Sequence, residues 1–295
     1  GRAQCLSGPE GQVVGHPPFR RARAVLRAVL CAVVGAATAA GAVPERVVSL
    51  NLCTDQLAML LAAPGQLVSV SFLAQDPMNS AMADAARAFP ANRGQAEEVF
   101  LMKPDLVLAG TYTSRAAVSM LRRLGIEVVE FPPERSLDDV RRHLRLMGQV
   151  LGQQARAEAM IADYDTRLAA LRADPAHRPR AALYSANGYT TGGNTLSGEI
   201  LAAAGFDNIA AEAGMPAGGA LPLEVLVMLR PDLVITGARY PGASRSEALL
   251  DHPALAPLLA AVPDAPATNA DWVCGTPYVL RAIEGLVAAR KALEA

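Results

Sequence analysis

Glu97 to Gly110 reads EEVFLMKPDLVLAG, and Glu224 to Gly237 reads EVLVMLRPDLVITG. The shared Pro-Asp-Leu-Val recurs 127 residues further on, and at that offset Glu97 meets Glu224, Lys103 meets Arg230 and Gly110 meets Gly237. Each copy spells a short helix, then a break at a proline that has no N–H to donate, then an apolar run of strand length. A chain that builds one unit in each half is expected to form two similar lobes with a ligand cleft between them.

Outward from the two units, predicted strands alternate with helices. Strands are expected at 46–50, 66–71, 106–109, 126–131, 180–185, 233–236 and 265–268, which is the α/β pattern. Residues 72–92, with Pro77 and Pro90, are expected to be irregular. Ser136 and Asp139 have the spacing of a capping box and open a helix. Between the halves, residues 153–173 read QQARAEAMIADYDTRLAALRA, without glycine or proline. Ala157, Met160, Ile161, Tyr164, Leu168 and Leu171 recur there at helical spacing, over a length of roughly 30 Å. The division that follows is a leader at 1–42, an N-terminal lobe at 43–152, a bridging helix at 153–173 and a C-terminal lobe at 174–295.

The chain of 295 residues has 52% hydrophobic side chains, enough to bury one large core or two smaller ones. Its formal charge of −1 hides an asymmetry. Residues 1–42 carry five arginines and Glu10, which leaves 22 basic and 27 acidic side chains after them. A net of −5 does not suit nucleic-acid binding. Arg20, Arg21, Arg23 and Arg27 precede a short apolar run at 28–37 and then Ala40-Gly-Ala42. That order reads as a secretory signal peptide, too short to remain as a membrane span, so the product is expected in the periplasm. Cys5 and Cys31 belong to the leader; Cys53 and Cys274 stay. In an oxidising compartment the two can pair, but spacing does not place their Cα atoms, so a disulfide and two free thiols both remain open.

In open α/β sheets the crevice lies outside the carboxyl ends of the strands. Polar loops after predicted strands nominate Asn51, Thr54, Tyr112, Arg115, Asn187, Tyr189, Arg239, Tyr240 and Trp272 as its lining. Catalytic motifs are missing: there is no Gly-x-Ser-x-Gly elbow and no phosphate or dinucleotide loop. His16, His143, His177 and His252 do not pair at metal-ligand spacing. No catalytic residue and no metal ligand is assigned, and a secreted α/β enzyme stays as the rival of another class.

RVVSLNLCTDQLAMLL at 46–61, both Pro-Asp-Leu-Val units, GGNTLSGEILAAAGFDNI at 192–209 and DWVCGTP at 271–277 together resemble class III periplasmic solute-binding proteins. These are the ferric-siderophore, vitamin B12 and haem receptors of ABC importers, and the likeness covers roughly 45–293. It implies two α/β lobes bridged by one long helix, no enzymatic activity, no cofactor besides a metal-chelate ligand, and a monomer that hands its ligand to a permease dimer. It also implies that Glu97 and Glu224 dock into arginine pockets of that permease. Arg93 and Tyr112 match positions of siderophore receptors, and the Trp272 loop resembles their late tryptophan loop. Ferric siderophore is the expected ligand, with a corrinoid as the alternative within the family. Cys53 and Cys274 match no ligand position of the family.

Overall fold

The computed structural model describes residues 42–172, 174–239, 242, 244–260 and 268–294. The expected leader (Ala42 apart), Tyr240 and most of the strand expected at 265–268 lie outside these residues. The first half runs β1 (Val47–Ser49), α1 (Leu52–Leu61), β2 (Leu67–Ser71), α2 (Ala83–Ala86), β3 (Ala91–Asn92), α3 (Ala96–Leu101), β4 (Leu106–Gly110), α4 (Arg115–Arg123), β5 (Glu127–Phe131) and α5 (Leu137–Val150). After α6 (Gln154–Leu171) come β6 (Arg180–Leu183), β7 (Tyr189–Thr190), α7 (Leu196–Ala203), β8 (Asp207–Asn208), β9 (Gly219–Ala220), α8 (Leu223–Leu229), β10 (Leu233–Ile235), α9 (Ala256–Ala260) and α10 (Val279–Leu293).

The first sheet has the parallel order β3-β2-β1-β4-β5, and the second β10-β6-β8. A separate ribbon pairs β7 with β9 antiparallel. Both sheets reverse their winding beside the first strand of their half, between β1 and β4 and between β6 and β10. That reversal opens a crevice at the strands' carboxyl ends.

The repeated unit does the same work twice. Lys103, just past the end of α3, and Arg230, which caps α8, are both left-handed at φ 50° and 47°, each directly before the proline of its unit. The aspartate of the unit then clips the chain to the start of the neighbouring strand. Asp105 accepts from the N–H groups of Glu45 and Arg46 at 2.7 and 3.0 Å, and Asp232 accepts from the N–H of Arg180 at 2.7 Å. Arg46 donates to the carbonyls of Met102 and Lys103, and Arg180 donates to that of Arg230. The carbonyls that a helix end leaves without partners are thereby used.

Strand alternation sorts the core into three layers. Val47, Leu106 and Leu108 face a central core, as do Ala181, Leu183, Leu233 and Ile235 from the second half. Val48, Val107 and Ala109 face outward onto α3 and α4; Ala182, Tyr184 and Val234 face outward onto α8. α6 packs against α5 of the first half and α10 of the second. It buries Ala157, Ile161, Tyr164 and Leu168 in the shared core, one stripe at the spacing of an amphipathic helix. Two α/β lobes joined by one long helix, the expected architecture, are what the chain builds. The capping box at Ser136 and Asp139 is present.

Some expectations change in detail. The helix expected at 153–173 is Gln154–Leu171. The stretch 72–92 is not wholly irregular: it holds a 3-10 turn at Phe72–Gln75, then α2, and β3 pairs Ala91 with Val70 and Asn92 with Ser71. β3 is only two residues long and is fixed by its side-chain hydrogen bonds, so no periodicity announces it. The same holds for β8, which no pattern foretold. Of the strand expected at 265–268, Thr268 forms a parallel bridge with Gly237.

Candidate functional site

At the carboxyl ends of β6 and β10 lies a hollow of about 250 Å³. Leu183, Ser185, Gly237 and Ala238 form its floor, Thr191 and Ser197 one side, and Thr268, Asn269, Trp272 and Val273 the other. Met78 and Asn79 reach it from the first half, so it lies between the lobes. Among the described residues no charged side chain lines it. Trp272, the chain's one tryptophan, is 6% exposed and sits in a 3-10 turn that Asn269 caps through its side chain.

The expected lining residues do not gather into one pocket. Trp272 lines the interlobe hollow. Tyr112, 83% exposed, lines a second hollow of about 660 Å³ with Pro132, Pro133, Arg135 and His143. Arg115 opens α4 and borders a third, beside Arg122 and Glu130. Asn51 lies across the switch point of the first sheet, where a Cβ on Gly110 would come within 2.9 Å of its Nδ2. Its Oδ1 caps α1, accepting from Cys53 and Thr54. Thr54 is corrected by its surroundings: it is fully buried and its hydroxyl bonds with Ser49 Oγ and the Asn51 carbonyl, so nothing of it faces a cleft. Arg93 follows β3 and holds its guanidinium over the Phe72 ring at 5.5 Å. Asn187 is left-handed at φ 57° and gives its N–H to the Ser246 carbonyl. Tyr189 is half exposed on β7, and Arg239 is ion-paired with Asp251 at 2.7 Å.

Sequence reasoning missed most of the hollow. Ser185 and Gly237 stand at strand ends, a signal the strand-end rule could have used. Met78, Asn79, Thr191 and Ser197 arrive by tertiary packing and carry no local signal.

Cys53 and Cys274 are bonded, with Cα atoms 5.2 Å apart across 221 residues. The bond ties the first turn of α1, beside Asn51, to the turn that follows Trp272. A second tie lies nearby: the buried Glu134 carboxylate meets His143 Nδ1 at 2.9 Å and lies against Gly275, where any side chain would collide with it. A third joins the Leu137 N–H to Glu199 Oε2 at 2.7 Å. Behind Cys53, the carboxyl of Asp55 accepts from both the N–H and the hydroxyl of Ser71. Burial pushes its pKa up to about 6 against those bonds: desolvation penalises the charged form.

Glu97 and Glu224 occupy the first turns of α3 and α8, both exposed, where a carboxylate suits the helix dipole. Neither has an ion pair among the described residues. The two helices cover the outward faces of the two sheets, away from the central core. No helix among the described residues is long and apolar enough to cross a membrane.

The sequence profile of a family described as periplasmic binding protein matches residues 47–262. A cobalamin-binding protein of Halobacterium salinarum is 32% identical over 246 residues, which are 80% of this chain and 66% of that protein's length. Among solved structures, a periplasmic haem-binding protein of a Roseiflexus species in its apo form superposes with a TM-score of 0.68 at 22% identity, covering 83% of this chain and 98% of that one. The periplasmic vitamin B12-binding protein of Vibrio cholerae superposes with a TM-score of 0.59 at 21% identity, covering 85% and 98%. At those identities the structures speak for the fold.

Proposed function

The chain belongs to the periplasmic binding protein family, and from that premise we propose that it captures a corrinoid in the interlobe hollow and delivers it to an ABC permease. The family is one of substrate-binding transport proteins rather than enzymes. The observation that carries the ligand reading is the lining itself: among the described residues, one indole, hydroxyls, two amides and no charge. A neutral macrocycle rimmed with amides can stack on Trp272 and hydrogen-bond to Ser185, Thr191 and Asn269. The hollow alone is smaller than most ligand sites, which run to about 300–1,000 Å³, so a large ligand would rest on its rim as well as in it. The relative that binds cobalamin supports the same choice. The metal travels inside the ligand as cargo, and the protein needs no cofactor of its own. Delivery uses Glu97 and Glu224 as the docking carboxylates, which charge-assisted bonds to arginine would orient. Export proceeds through the leader at 1–42.

Ferric siderophore remains the second reading, favoured by Arg93 over Phe72 at the ends of β3 and β2, a cation suited to an anionic chelate. Calorimetric titration of the mature chain with cyanocobalamin and with a ferric hydroxamate separates the two. Saturable binding of cyanocobalamin, weakened about tenfold in Trp272→Ala, is expected. Binding of the ferric chelate alone, lost in Arg93→Ala, would overturn the corrinoid reading.

A further inference from the structure

We propose that each docking carboxylate acts together with an apolar side chain one helical turn further on, so that the partner meets a duplicated pair: Glu97 with Leu101, and Glu224 with Met228. The inference rests on the docking reading above and adds a second component to it. Residues four apart share one face of a helix. Leu101 is 78% exposed and Met228 80%, and they stand 127 residues apart, the same offset as the glutamates. A lone exposed leucine needs no explanation. Two large apolar side chains at one position of a repeated unit, each a turn away from a carboxylate without an ion pair among the described residues, do need one.

Their helices have other apolar residues to bury. α3 sends Ala96 and Val99 into the outer core of its lobe, and α8 sends Leu223 and Leu226 into its own. Leu101 and Met228 are thus surplus to both cores and look away from them. Exposed carboxylates elsewhere on the helices are engaged: Asp84 with Arg87, Asp138 with Arg142, Glu158 with Arg145. The carboxylate and the apolar group therefore both await a partner outside the chain. The partner that fits presents, twice, a guanidinium beside an apolar socket, as two copies of one permease subunit would.

The pairing also answers a weakness of carboxylates alone. An exposed ion pair is screened by salt and contributes little. An apolar side chain seated beside it excludes water and strengthens it. Full burial of one leucine or methionine is worth about tenfold to a hundredfold in affinity. Electrostatics would set approach and orientation, and the apolar contacts would set the lifetime of the complex.

The test immobilises the full chain and exposes it to detergent-solubilised membranes of its own source. The retained ABC permease subunit is identified and quantified by its peptides. Three forms are compared: the unaltered chain, Leu101→Ser with Met228→Ser, and Glu97→Ala with Glu224→Ala. Thermal unfolding of each checks that the fold is intact, which exposed positions should leave unchanged. Both double variants are expected to retain at least tenfold less permease, and Leu101→Ser and Met228→Ser alone are expected to fall equally, within about twofold. Full retention by the serine pair with loss in the alanine pair overturns this inference and leaves the docking reading standing. Full retention by the alanine pair, or no permease on the unaltered chain, overturns both.

Discussion

The two lobes share a repeated unit but are held in different ways. In the first, the strand ends are wired by buried polar groups. Asn92 Nδ2 donates at 2.9 Å to the Ser49 carbonyl, to Ser69 Oγ and to the Val70 carbonyl, and Asp55 binds Ser71. Among the described residues the second lobe has no such network. Its buried polar side chains there are Thr190, Thr276 and Arg290, and the amino end of β6 is held by solvent-facing pairs, Arg180 with Glu212 and Arg178 with Asp207. Fully satisfied buried networks fix one geometry, whereas exposed ion pairs contribute little. The same local unit therefore sits in a five-stranded, polar-wired sheet on one side of the hollow and in a three-stranded sheet on the other, beside the turn that carries Trp272. The disulfide fastens the segment after that turn to the first lobe.

The largest effect expected from breaking this arrangement comes from the disulfide. Cys53→Ser with Cys274→Ser should lower stability by about 3–5 kcal/mol, because the bond closes a very long loop in the unfolded chain. Urea unfolding measures it. A loss under about 1 kcal/mol would mean that the central core and α6 alone unite the lobes.

Next is Asp55, which belongs to the wired side. Its folded pKa is raised from 3.8 to about 6, so the folded state holds the proton more tightly than the unfolded state. Its contribution is therefore full below pH 3.8 and lost as the pH rises through about 6, with a total change on the order of 3 kcal/mol. Asp55→Asn should remove that part of the pH dependence. Stability measured from pH 4 to 8 in both forms checks it, and parallel curves would refute the role of burial.

The smallest effect compares the two copies of the unit directly. Asp105 accepts two backbone N–H groups and Asp232 one, so Asp105→Ala should cost about 2 kcal/mol and Asp232→Ala about 1. Equal costs would show that the first lobe draws no extra hold from its second bond.

Much of the fold was legible because it rests on local patterns. The paired Pro-Asp-Leu-Val units mark their strands, and the stripe Ala157, Ile161, Tyr164, Leu168 marks the bridging helix. β3 and β8 were not legible, since a two-residue strand has no period and depends on its neighbours. The hollow was legible only in part. Trp272 was found because an indole in a late polar loop stands out, whereas Met78 and Asn79 reach the hollow from the other half of the chain. Thr54 was nominated by its position after a strand, but it is buried and its hydroxyl bonds to Ser49 and Asn51. A loop's sequence does not say which way a side chain faces.

What the sequence determined by itself is the doubling: two units, two sheets, one helix between them, and a glutamate at the head of each repeat. Periodicity, proline breaks and matched spacing suffice for these, because each is written within a few adjacent residues. Tertiary structure alone decided that Cys53 meets Cys274, that uncharged side chains line the hollow among the described residues, and that Leu101 and Met228 are left outside both cores. Those facts depend on which distant segments pack together, and the energy that selects the packing belongs to contacts between residues that no local pattern links.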